Sequence, residues 1–74
     1  MTKTQFLAAY ETALRSCPWT ADGAKLDRFM SSVRATLDGA NTWNHDGDCC
    51  TAAWRAIGGK GKPTLRGLRA LPAD

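Results

Sequence analysis

Pro18, Gly39, the glycine cluster Gly58, Gly59 and Gly61, and Pro72 punctuate this sequence and decide how long any element in it can be. Proline in a helix interior loses a hydrogen bond and clashes with the preceding turn, and glycine there costs about 1 kcal/mol relative to alanine. Between these breakers the apolar residues recur at helical spacing, and no stretch alternates with period two over the length of a strand. The pattern predicts an all-α fold: one domain over residues 1–74, with four helices near 3–16, 21–38, 48–57 and 63–71.

Each boundary has a chemical reason. Thr2-Lys3-Thr4-Gln5 has the form of a capping box, in which a Thr and a Gln satisfy each other's backbone N–H groups. Phe6, Tyr10, Leu14 and Cys17 follow on one face, with Leu7 beside them, until Pro18 bars its predecessor from the helical region. Thr20 or Asp22 caps the second helix, whose stripe is Leu26, Phe29, Met30, Val33 and Leu37. Gly39 suits a left-handed helix stop. Asp46 or Asp48 caps the third helix, which turns Cys50, Ala53, Trp54 and Ile57 inward and ends at Gly58. Pro63 fits the first position of the fourth helix, which Pro72 stops. The expected core is Phe6, Tyr10, Leu14, Leu26, Phe29, Met30, Val33, Trp54, Ile57, Leu65 and Leu68, with Trp19 plugging the corner after Pro18 and Trp43 anchoring the loop before the third helix.

At 74 residues such a core is only just sufficient, and a homodimer is one device that would add to it. The 43% hydrophobic content and three tryptophans argue against disorder. No apolar run approaches the ~20 residues needed to cross a bilayer, and Met1 to Gln5 lacks a signal peptide's apolar core, so a cytoplasmic protein with no membrane partner is expected. Cys17, Cys49 and Cys50 are odd in number, and two are adjacent, which does not make a disulfide framework.

The net charge of +3 is unevenly distributed. Residues 1–50 carry five cations and six anions, whereas residues 51–74 carry five cations and one anion. Lys60 and Lys62 lie in the glycine loop, and Arg66 and Arg69 follow on the helix after it. On a helical wheel Lys62, Arg66 and Arg69 fall at about 0°, 40° and 340°, with Leu65, Leu68 and Leu71 near about 300°, 240° and 180°. That gives a basic edge beside a leucine edge. A Gly-Lys loop leading into a helix offers backbone N–H groups and ammonium groups to an anion. Gly59, Lys60, Gly61, Lys62, Arg66 and Arg69 are therefore the expected binding residues, for nucleic-acid backbone or an acidic protein surface. The aromatic residues do not interleave with this basic segment, so it is not a stacking platform for single strands. The loop lacks the spacing of a Walker A sequence and is long for the turn of a helix-turn-helix.

Ile57-x-Gly59-Lys60-Gly61-x-x-x-Leu65-x-x-Leu68 resembles the hairpin of helix-hairpin-helix DNA-binding motifs, over residues 54–71. The resemblance implies that Gly59 and Gly61 are hairpin glycines presenting N–H groups to a phosphate, that Lys62 contacts that phosphate, and that DNA is bound without reading its sequence. Lys60 stands where that family usually has an apolar residue, and Leu65 where a small one is common. In size and texture the chain also resembles small phage and prophage accessory proteins, a group that includes anti-CRISPR inhibitors. That likeness implies the alternative, a protein-interaction module masking a host surface.

His45, Cys49 and Cys50, with Asp46 and Asp48 between them, are the residues suited to metal or nucleophilic chemistry, and Cys17 could complete four zinc ligands after folding. Adjacent cysteines do not readily face one tetrahedral ion, and a His45–Cys49 pair has no evident third group to orient it. The sequence therefore predicts no metal, no cofactor and no catalytic residue: a binding protein, not an enzyme.

Overall fold

Four side chains accept the first unpaired amides of four helices, and these acceptors set where each helix begins. They are seen in a computed structural model that describes residues 1–18, 22–40 and 45–74. The roles expected of Trp19, Thr20 and Trp43 fall outside the described residues. Helix α1 (Lys3–Leu14) opens with the capping box: the Gln5 N–H donates to Thr2 Oγ1 at 3.0 Å, and the Thr2 N–H donates to Gln5 Oε1 at 3.1 Å. Helix α2 (Gly23–Leu37) is capped by Asp22, which accepts from the Ala24 N–H at 2.8 Å. Helix α3 (Gly47–Ala56) is capped by Asp46, which accepts from the Cys49 N–H at 3.0 Å. Helix α4 (Leu65–Arg69) is capped by Thr64, which accepts from the Gly67 N–H at 3.0 Å. No strand occurs among the described residues, and the fold class is all-α. No helix among them is long and apolar enough to cross a membrane.

Three helices are shorter than their sequence spacing predicts. Helix α2 begins only after its Asp22 cap and gives up its last residue to the C-cap Asp38. Past Leu14 the Ser16 and Cys17 N–H groups donate to Ala13 O and Leu14 O, at 3.2 and 2.9 Å, so the chain tightens into i→i+3 turns ahead of Pro18. Helix α4 starts two residues after Pro63, because Thr64 is held extended at φ −117° and ψ 153° to serve as the cap. Lys62 and Pro63 are therefore loop residues, and the helical wheel that put Lys62 on one edge with Arg66 does not apply to it.

Helix α1 packs chiefly on α3 and also on α2, while α4 rests on α2. Phe6, Tyr10 and Leu14 of α1 are fully buried, together with Leu26, Met30, Val33 and Leu37 of α2, Cys50 and Ala53 of α3, and Leu68 of α4. Burying each large apolar side chain contributes about 1.5–3 kcal/mol. Tyr10 sits edge-on between Phe6 and Phe29, with ring centroids 5.5 and 5.7 Å away. Its hydroxyl accepts from the Asp46 N–H at 2.8 Å and donates to Asp46 O at 3.2 Å, tying the middle of α1 to the start of α3.

Phe29, Trp54, Ile57 and Leu65 are half-buried and pack against this core rather than lying within it. Helix α3 is rotated so that Cys49, Cys50 and Ala53 face inward, which moves Trp54 to the rim. A final tie joins residues far apart in sequence. The Lys3 N–H donates to Pro72 O at 2.7 Å, and the single Thr4 hydroxyl proton is shared between Ala73 O and Asp74 Oδ1, 2.9 and 2.8 Å from Oγ1.

Candidate anion-binding surface

The glycine–lysine loop is built on a helix stop. Gly58 takes φ 99°, a left-handed conformation that suits glycine, and its N–H donates to Arg55 O at 3.0 Å. The Gly59 N–H donates to Trp54 O at 2.8 Å. These two bonds make a Schellman motif that satisfies the end of α3. Gly59 therefore uses its N–H to end the helix and does not present it to a ligand. Its lack of a side chain has a separate cause, since a Cβ there would run into the Trp54 indole. That indole lies over Gly59 and donates through Nε1 to Lys60 O at 3.1 Å.

Beyond this point the loop opens to solvent. Gly61 takes φ 70°, and Lys60, Gly61 and Lys62 are all exposed. Their N–H groups have no hydrogen-bond acceptor among the described residues. Arg66, on the first turn of α4, is exposed as well. Among the described residues none of these three cations has an ion-pair partner; the pair that forms is Arg15 with Glu11, at 3.5 Å. Three of the expected cations, Lys60, Lys62 and Arg66, thus lie exposed within residues 60–66, without an ion-pair partner among the described residues.

Arg69 is placed differently. Its Nε donates to Thr36 O at 3.0 Å and its Nη2 to Ala40 O at 2.8 Å. The guanidinium thus closes the C-terminal end of α2, where a cation is favoured by the helix dipole. The wheel put Arg69 beside Arg66, but α4 is too short for its basic edge to stay in solvent along its length. A cation one turn further on reaches the neighbouring helix.

Lys62 and Pro63 also form one wall of a cleft of about 300 Å³, whose other side includes His45, Asp48 and Thr51. Asp48 lines the same cleft as Lys62, so the cleft carries residues of both charges, whereas Lys60 and Arg66 lie outside it.

A second cluster lies at the junction of α1 and α3. Cys17 Sγ and Cys49 Sγ are 3.1 Å apart, and an oxygen of Asp46 lies within 4.8 Å of both sulfurs. None of the three cysteines is disulfide-bonded. Burial, the neighbouring Cys17 thiol and the Asp46 charge push the Cys49 thiol up to about 12. Burial and Asp46 push the Cys50 thiol up to about 11. Both cysteines are held as thiols, the reverse of the activated thiolate a nucleophile requires, even though Cys49 sits in the first turn of α3. The sequence offers Cys17 as a residue that folding could bring to Cys49; that the two sulfurs meet, without His45 or Cys50, depends on how α1 docks against α3.

No family model matches this chain, and neither a curated protein nor a solved structure shows significant similarity to it.

Proposed function

We propose that the protein is a non-enzymatic binding protein that grips the backbone of duplex DNA with Lys60, Lys62 and Arg66, without reading base sequence. The observation that carries this reading is the exposure of Lys60, Lys62 and Arg66, three cations with no ion-pair partner among the described residues, and the open N–H groups at Lys60, Gly61 and Lys62. Phosphate oxygens accept from both kinds of donor, and such contacts position a protein without specifying sequence. Gly61 supports the reading by turning the loop at positive φ with no side chain between the backbone and a ligand. Gly59 contributes indirectly, by letting Trp54 fold down and fix where the loop leaves α3. Arg69 holds α4 against α2, so that Arg66 is carried by an anchored element.

Three phosphate contacts give weak binding whose logarithm falls against log salt with a slope of about −2 to −3. Titration of the protein against unrelated duplexes at two salt concentrations should return that slope, with affinities that differ little between sequences. The double substitution Lys62→Glu with Arg66→Glu should weaken binding at least tenfold, flatten the slope to about −1 and leave the helical spectrum intact. A duplex affinity that ignores salt, or that the double reversal leaves unchanged, would overturn the proposal. Absence of duplex binding together with capture of an acidic protein that the same reversal abolishes would overturn it in favour of a protein-masking role.

A further inference from the structure

We infer that Cys17, Asp46 and Cys49 form a binding site for a thiophilic divalent metal ion of the zinc class, with solvent completing the coordination. Two sulfurs and a carboxylate oxygen are a donor set that zinc accepts, and a site with three protein ligands keeps one position open. The ligands come from two elements that the fold brings together. Cys17 sits in the turn closing α1, fixed by its N–H bond to Leu14 O at 2.9 Å. Asp46 and Cys49 lie on one turn at the start of α3, already joined by the 3.0 Å bond from the Cys49 N–H to Asp46 Oδ1. The paired Tyr10–Asp46 bonds clamp the two elements a short way from the sulfurs.

The separation of the sulfurs lies near what a shared metal ion requires. Zinc–sulfur bonds of about 2.3 Å at a tetrahedral angle put two sulfurs about 3.8 Å apart. The observed separation of 3.1 Å must open by about 0.7 Å to reach that arrangement. It must close by about 1.1 Å to reach the ~2.05 Å of a disulfide. Cys49 is 8% exposed and Cys17 is half-buried, so an ion enters from the Cys17 side. Cys50 takes no part, being 1% exposed and outside the cluster. The adjacency of Cys49 and Cys50 is thus no obstacle, since the second sulfur comes from Cys17. Binding displaces two thiol protons to solvent and leaves two thiolates on the ion.

Cobalt(II), which occupies zinc sites and reports on them by colour, tests the inference on the full chain kept reduced by a non-thiol reductant. The expected result is a thiolate-to-cobalt charge-transfer absorption that saturates at one equivalent and is bleached by zinc(II). Cys17→Ser and Cys49→Ser should each diminish the band and weaken binding, whereas Cys50→Ala should keep both. Asp46→Asn retains an acceptor for the cap and removes the ligand charge, and it should lower affinity about tenfold or more, since even outer-shell losses cost about 10–100-fold. Cys17 lies outside the helices and half-exposed, so its variant reads the site without threatening the fold. An absent band, a band indifferent to Cys17, or a reduced protein that binds no cobalt while Cys17 and Cys49 cross-link on mild oxidation would each overturn the inference.

Discussion

The C-terminal ends of α2 and α3 carry the same local device. Each has a glycine at positive φ, Gly39 at 117° and Gly58 at 99°, followed by a residue whose N–H reaches back five positions to a helical carbonyl. What closes over the two ends differs. At α2 a cation arrives from about thirty residues away, and Arg69 donates to both Thr36 O and Ala40 O. At α3 the cover is local: Trp54 folds onto Gly59 and donates to Lys60 O. A helix stop written into the sequence therefore fixes where the chain reverses but not what satisfies it afterwards. Because the α3 stop is closed from within, the lysines beside it stay turned to solvent. The arginine at the α2 stop is drawn in.

The comparison breaks most severely at Arg69. Arg69→Ala removes two charge-assisted hydrogen bonds to carbonyls at the end of α2 and should cost about 2–3 kcal/mol. In a domain this small that lowers the thermal midpoint by about 10 °C or more, measurable by circular dichroism. A midpoint within a degree or two of the parent would show that water replaces the guanidinium without loss. Next in size is Gly59→Ala, where the new methyl must displace the Trp54 indole and break its bond to Lys60 O. The expected destabilisation is about 1–2 kcal/mol, with a red shift and quenching of tryptophan fluorescence as the indole moves into water. The smallest effect belongs to Arg66→Ala, one turn before Arg69 yet facing solvent, which should change stability by no more than about 0.5 kcal/mol. Arg66 and Arg69 are the same residue three positions apart, and chemical denaturation of the two alanine variants should separate them clearly.

Helix number, order and most boundaries were legible in the sequence because caps and stops act through neighbours. Thr2 with Gln5, Asp22, Asp46, Gly39 and Gly58 all do what their local chemistry predicts. The last helix starts later than Pro63 predicts because two local signals compete there. Proline at a first helical position and threonine at a cap are both favourable, and Thr64 prevailed by bonding Gly67. The exposure of Arg66 was legible from its position off the leucine edge, and that of Lys60 and Lys62 from their place in a glycine-rich loop. The inward turn of Arg69, the Tyr10–Asp46 clasp and the meeting of Cys17 with Cys49 were not, since each is settled by the docking of one helix on another. Thr36 makes the same point, because it lies wholly buried in α2 with its hydroxyl returned to Ser32 O at 2.9 Å.

The bond from Lys3 to Pro72 O has a consequence for the molecule's motions. The first amides of a helix ordinarily lack an internal partner and exchange their hydrogens at nearly the rate of an open chain. Here the Lys3 amide is engaged by a residue sixty-nine positions later, and Thr4 grips the next two residues through its hydroxyl. Opening of the first turn of α1 must therefore release residues 72–74. The deuterium clock of a single amide in α1 then times the detachment of residues 72–74.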